Sequence, residues 1–148
     1  MSAAVPASSQ ARVSASFERQ RVMVELGGRL LAVRPGEVEI ELPFAERLTQ
    51  QHGFVHGGIV ATLADTACGY AALTLMPEER AVLTVEFKIN FLAPAVGRRI
   101  IARGRVVRSG GRLTICQADA FADDGERERH VATMTATLMA VANAGLVD

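Results

Sequence analysis

The stretch "HGFVHGGIVATLADTACGYAA", residues 52–72, limits what this chain can fold into more than any other segment. Ile59, Val60, Leu63, Ala64, Ala67, Tyr70, Ala71, Leu73 and Leu75 follow helical spacing and leave the helix hardly any polar side. Such a helix is a core element, wrapped by a sheet or by a sheet and another subunit. One carboxylate, Asp65, interrupts it. Burying an ionised carboxylate without partners is costly, so an Asp in this setting is paired, protonated or catalytic. Its neighbours one helical turn away, Ala61, Thr62, Cys68 and Gly69, are all small and leave room beside it for another chain or a ligand. A hydrogen-bonded or salt-bridged Asp at a dimer interface is the structural alternative to a catalytic one.

The rest of the chain supplies the sheet. Residues 81–91, 98–108, 112–122 and 129–141 are rich in β-branched and alternating residues, with turns predicted at "SGG" (109–111) and "DDGE" (123–126). In the first of these runs Ala81, Leu83, Val85, Phe87, Ile89 and Phe91 alternate with more polar residues, which predicts one apolar face and puts Thr84 on the other. Two further short strands flank Pro35-Gly36, and residues 17–26 read as a helix stopped by Gly27-Gly28. Residues 1–16, small and polar, read as a disordered leader, and residues 17–148 as a single domain. One long helix against a mostly antiparallel sheet makes the fold class α+β.

Composition narrows the function classes. Sixteen Lys and Arg balance sixteen Asp and Glu, which argues against nucleic acid or an anionic membrane as the partner. Cys68 and Cys116 lie in apolar segments without metal-ligand spacing and read as reduced core residues. No apolar run is long enough to span a bilayer, so a cytoplasmic protein is expected.

The start of the long helix offers a second chemical group. Gly57 and Gly58 permit close approach, and the first N–H groups of a helix point outward with partial positive charge, suited to a carbonyl oxygen or the oxyanion formed from it. Two glycines that merely let a loop turn into a packed helix are the plainer reading. The eight residues from Gly57 to Asp65 span about 12 Å of helix axis, too far for one reacting carbonyl to touch both. If both serve one substrate, they come from different subunits, with the helices antiparallel in a dimer.

With "HGGIVATLADTACGYAA" and "LTVEFKINFLAPA" in view, the chain resembles the hotdog-fold acyl-CoA thioesterases of the PaaI-like type over roughly residues 19–141. The resemblance implies an antiparallel sheet of five or six strands around the helix. It also implies homodimers with interfacial active sites, commonly a dimer of dimers, and an acyl-CoA substrate. Asp65 then matches the family's general base or nucleophile, Gly57 its oxyanion donor, and His56 the position that orients that loop or the thioester. Gln50 stands where many relatives carry an Asn near the attacking water, and Thr84 aligns with a Ser or Thr that assists this water in some relatives. Gly58 adjoins the donor as a substrate contact. Coenzyme A also needs cations for its phosphates, and Arg108 and Arg112 flank the predicted turn at 109–111.

His52 and His56 share the spacing of a metal pair, but no third ligand is evident, and no nucleotide-binding glycine motif is present; neither metal nor cofactor is expected. Two other functions stay open. One is a non-catalytic acyl-CoA binding or sensing module, which an appended DNA-binding segment would favour. The other is a hotdog hydratase or dehydratase, whose His and acid pattern is not found.

Overall fold

The computed structural model describes residues 7–142, 145, 146 and 148. Helices α1 (Ala7–Arg19) and α2 (Arg21–Leu26) precede the hairpin of β1 (Arg29–Arg34) and β2 (Glu37–Pro43). The long helix α3 (Gly57–Leu73) follows, then β3 (Arg80–Phe91), β4 (Arg99–Ser109), β5 (Leu113–Asp123) and β6 (Glu128–Ala142). The strands form one six-stranded antiparallel sheet in the order β1-β2-β4-β5-β6-β3, so β1 and β3 are its edges.

α3 packs along β2, β4, β5, β6 and β3, which is why its sequence has almost no polar side. Leu63, Ala67 and Leu73 meet Ile40, Leu42 and Ile100, while Ala64, Cys68 and Ala72 meet Cys116, Ala118 and Met134. The approach is tightest at Gly104 of β4, where a Cβ would stand 2.5 Å from the carbonyl carbon and oxygen of Ala67. Only glycine lets the helix backbone lie that close to the strand. Among the described residues no helix is long and apolar enough to cross a membrane.

Two expectations need correction. Residues 7–16, read as part of a disordered leader, belong to α1; residues 1–6 lie outside the described residues. Val13 and Phe17, spaced i,i+4, fall on one face of α1 and are buried, with the Phe17 ring 5.9 Å from that of Tyr70. The Arg12 guanidinium adds hydrogen bonds to the carbonyls of Met76, Pro77 and Arg80. Composition hides this helix because the pair that anchors it straddles the boundary between small polar and mixed sequence.

The second correction concerns β3. Strict alternation puts Thr84 on the face opposite Phe87, Ile89 and Phe91, but the pairing with β6 slips between Thr84 and Glu86. Beyond the slip, Phe87, Ile89 and Phe91 stand opposite the buried Ala136, Met134 and Ala132; before it, Thr84 stands opposite the buried Leu138. Val85 is thus the extra residue of a β-bulge, and it brings Thr84 onto the helix-facing side.

Candidate active site

The loop that launches α3 is tied down on both sides. Thr49 bridges Val55, the Val55 N–H donates to the Ala95 carbonyl at 3.1 Å, and the His56 N–H donates to the Leu48 carbonyl at 2.9 Å. Gln50 Oε1 accepts from the His52 N–H at 2.5 Å and, more weakly, from the Phe54 N–H at 3.4 Å. Its side chain therefore holds the loop from within. His56 caps the helix, with Nδ1 accepting the Gly58 N–H at 2.9 Å. An accepting Nδ1 leaves the ring proton on Nε2, an outward donor on an exposed ring.

That cap divides the two glycines. The Gly58 N–H is taken by His56, whereas the Gly57 N–H, the first of the helix, has no acceptor among the described residues. It carries the positive end of the helix dipole and faces no protein acceptor among the described residues. The Phe91 ring lies close by, 3.0 Å from where a Cβ on Gly57 would stand. A cavity of about 370 Å³ opens at this point, walled by Phe54, Val55, Val60, Phe91, Leu92 and Pro94, with Gln50 and Gly57 on its lining.

Asp65 lies about two helical turns further along α3 and is half-buried. Thr84 Oγ1 donates to Asp65 Oδ1 at 2.9 Å, a contact that the β3 bulge makes possible. Burial pushes the Asp65 carboxyl above its ordinary range, and the Thr84 hydrogen bond draws it partly back. A second, smaller cavity of about 120 Å³ surrounds this pair, lined also by Gln20, Thr66, Gly69, Tyr70, Val82 and Asp148. Its far wall is firmly built: Ser16 Oγ and Tyr70 Oη are 3.1 Å apart, and the Asp148 carboxylate accepts the Val82 N–H at 2.7 Å.

The predicted residues therefore fall into two groups. Gln50 and Gly57 line the first cavity, with His56 at its helix cap, and Asp65 and Thr84 line the second; neither group reaches the other's cavity. Arg108 and Arg112 stand exposed at the end of the β4–β5 hairpin and line neither cavity. Register connects Leu113 to Met139 and Met139 to Leu83, which sets this hairpin end level with the Thr84 end of β3. Gln20, Tyr70 and Asp148 were not foreseen as lining residues. Tyr70 reads as one more apolar helix position, and Gln20 and Asp148 are brought to the site from distant parts of the chain without any local motif. Cys68 and Cys116 are buried free thiols whose burial holds both well above the ordinary thiol range, so neither is poised as a nucleophile.

Known proteins share this architecture. A thioesterase family protein from Silicibacter pomeroyi is 54% identical in its crystal structure, covers 91% of this chain and 99% of its own, and superposes with a TM-score of 0.90. Escherichia coli PaaI shares the fold at a TM-score of 0.83 and 19% identity, over 93% of this chain and 96% of its own. Human acyl-coenzyme A thioesterase 13 is 30% identical over 93 residues, 61% of this chain and 64% of that protein. The family model of the thioesterase superfamily matches residues 52–128, the segment that runs from the α3 loop through Thr84 to the start of β6. The chain belongs to the thioesterase superfamily and is a thioester hydrolase of the hotdog fold.

Proposed function

We propose that this protein hydrolyses an acyl-CoA thioester to the free carboxylic acid and coenzyme A, as a homo-oligomer in which each active site is shared by two chains. The observation that carries this reading is the separation of the two groups: an N–H at Gly57 without an acceptor among the described residues in one cavity and a half-buried carboxylate at Asp65 in another. A second copy that brings its Gly57 cavity against the Asp65 cavity of the first unites them. The edge strand β3 suits such a contact, because it is unpaired on one side and leaves Leu83, Val85, Phe87 and Phe91 between 45% and 54% exposed. A homodimer, or a dimer of dimers, follows from that face being covered.

Within the shared site, Asp65 accepts a proton from water as the water oxygen bonds to the thioester carbon; direct attack by the carboxylate is the other form of the same role. A carboxylate raised by burial is a stronger base than an exposed one, and the Thr84 hydroxyl fixes its orientation. The charge that develops on the carbonyl oxygen falls on the partner's Gly57 N–H at the helix start, with His56 holding Gly58 and so the shape of that turn. Collapse of the tetrahedral intermediate breaks the carbon–sulfur bond, and the departing thiolate takes up the proton. Arg108 and Arg112, exposed and without ion pairs among the described residues, serve the coenzyme A phosphates. The unpaired buried thiols suit a reducing compartment such as the cytoplasm.

Asp65→Asn tests the assignment. The amide oxygen still accepts the Thr84 hydrogen bond, and a folded-state carboxyl raised above its unfolded value loses stability as pH rises through that value. At neutral pH the variant should therefore melt at or above the parent temperature. Turnover on a panel of acyl-CoAs should fall at least about a hundredfold, the scale of a missing general base. Parent-like turnover in the folded variant would return Asp65 to a structural role.

A further inference from the structure

We propose that Gly69 sets the size of the acyl group this enzyme accepts, by leaving open the compartment beside Asp65. Gly69 lies four residues after Asp65, one turn along the same face of α3, and lines the 120 Å³ cavity. Glycine weakens a helix interior relative to alanine, so its presence in mid-helix calls for a reason. Neither of the usual ones applies. Its φ is not positive, and a Cβ built on it meets no atom within 4 Å among the described residues, in contrast to Gly104 of β4, where the same Cβ meets backbone at 2.5 Å. The space is open, it adjoins the carboxylate, and Gln20, Thr66, Tyr70, Val82, Thr84 and Asp148 line the rest of it.

The two cavities divide a thioester substrate by size. The compartment beside Asp65 is the smaller of the two, about 120 Å³ against about 370 Å³ at Gly57. The longer pantetheine arm, which must run out to solvent, is assigned to the larger apolar cavity at the partner's Gly57. The smaller compartment at Gly69 then takes the acyl chain, and a methyl on residue 69 narrows it. This inference rests on acyl-CoA hydrolysis at Asp65.

The test measures kcat/KM of the parent, Gly69→Ala and Gly69→Ser on acetyl-, butyryl-, hexanoyl- and decanoyl-CoA, together with Tm and solution mass. Alanine should raise Tm by about 3 °C through helix propensity and leave the oligomer intact. On butyryl- and hexanoyl-CoA both variants should lose at least about tenfold in kcat/KM, while acetyl-CoA stays within about threefold, moving the optimum to shorter chains. An equal loss on every acyl length, no loss at all, or a parent that prefers decanoyl-CoA overturns the inference. So does dissociation of Gly69→Ala, which would assign the open space to the subunit contact. If the parent hydrolyses no acyl-CoA, the functional reading itself fails, and the role of Gly69 falls with it.

Discussion

The shared site makes a quantitative demand on a mixture of two dead enzymes. The Asp65→Asn chain lacks the proposed base and keeps the proposed oxyanion donor. Gly57→Pro does the reverse, because proline has no N–H. The geometry at residue 57 suits proline unusually well. It is the first residue of α3, where proline is favoured, and His56 before it has φ −58° and ψ 135°, the extended conformation that a residue preceding proline requires. A Cβ at this position needs the Phe91 ring, 3.0 Å away, to shift by a few tenths of an ångström. Gly57→Pro should therefore fold and assemble while losing the donor, at a cost in turnover of roughly a hundredfold or more, typical of a lost oxyanion-hole hydrogen bond. Gly57 and Asp65 lie eight residues apart on one helix, about 12 Å along its axis, so on the proposed reading no chain completes a site alone. After random subunit exchange about half the dimers are mixed, and each has one site joining an intact Gly57 to an intact Asp65. Activity should recover to roughly a quarter of the parent value. The assay is acyl-CoA hydrolysis before and after exchange, with exchange verified by native mass. Verified exchange with activity no higher than the separate variants would refute the shared site.

Two further measurements probe the local physics. In the proposed mechanism Asp65 acts ionised, so kcat/KM should rise with pH along an acid limb lying above the ordinary carboxylate range; Thr84→Val removes the one hydrogen bond that lowers this pKa, and the limb should move to still higher pH. A limb that stays in place in Thr84→Val means that the hydroxyl does not act on Asp65. Gly104→Ala forces a methyl into the backbone of Ala67 and should cost about 2–3 kcal/mol, lowering Tm by roughly 5–10 °C; an unchanged Tm would mean that α3 does not rest on β4 there.

Much of this protein could be read from its residues in order. The apolar run of α3 demanded a wrapping sheet, the turns at Pro35-Gly36 and 109–111 separated the strands, and Asp65 stood out as the one carboxylate in an otherwise apolar helix. Helix rise alone held Gly57 and Asp65 apart. These are properties of local spacing, which the chain carries wherever it goes. The partners of Asp65 are different in kind. Thr84 reaches it because β3 gains one residue against β6, a slip that depends on the pairing partner and leaves no mark in the alternation of β3 itself. Gln20, Tyr70 and Asp148 close the compartment because α1 docks through Val13 and Phe17 and because the Asp148 carboxylate takes the Val82 N–H. The freedom of the Gly57 N–H likewise follows from His56 choosing its neighbour. Bulges, caps and cavity walls are settled by which groups meet across the fold, and a linear pattern records only what each group is.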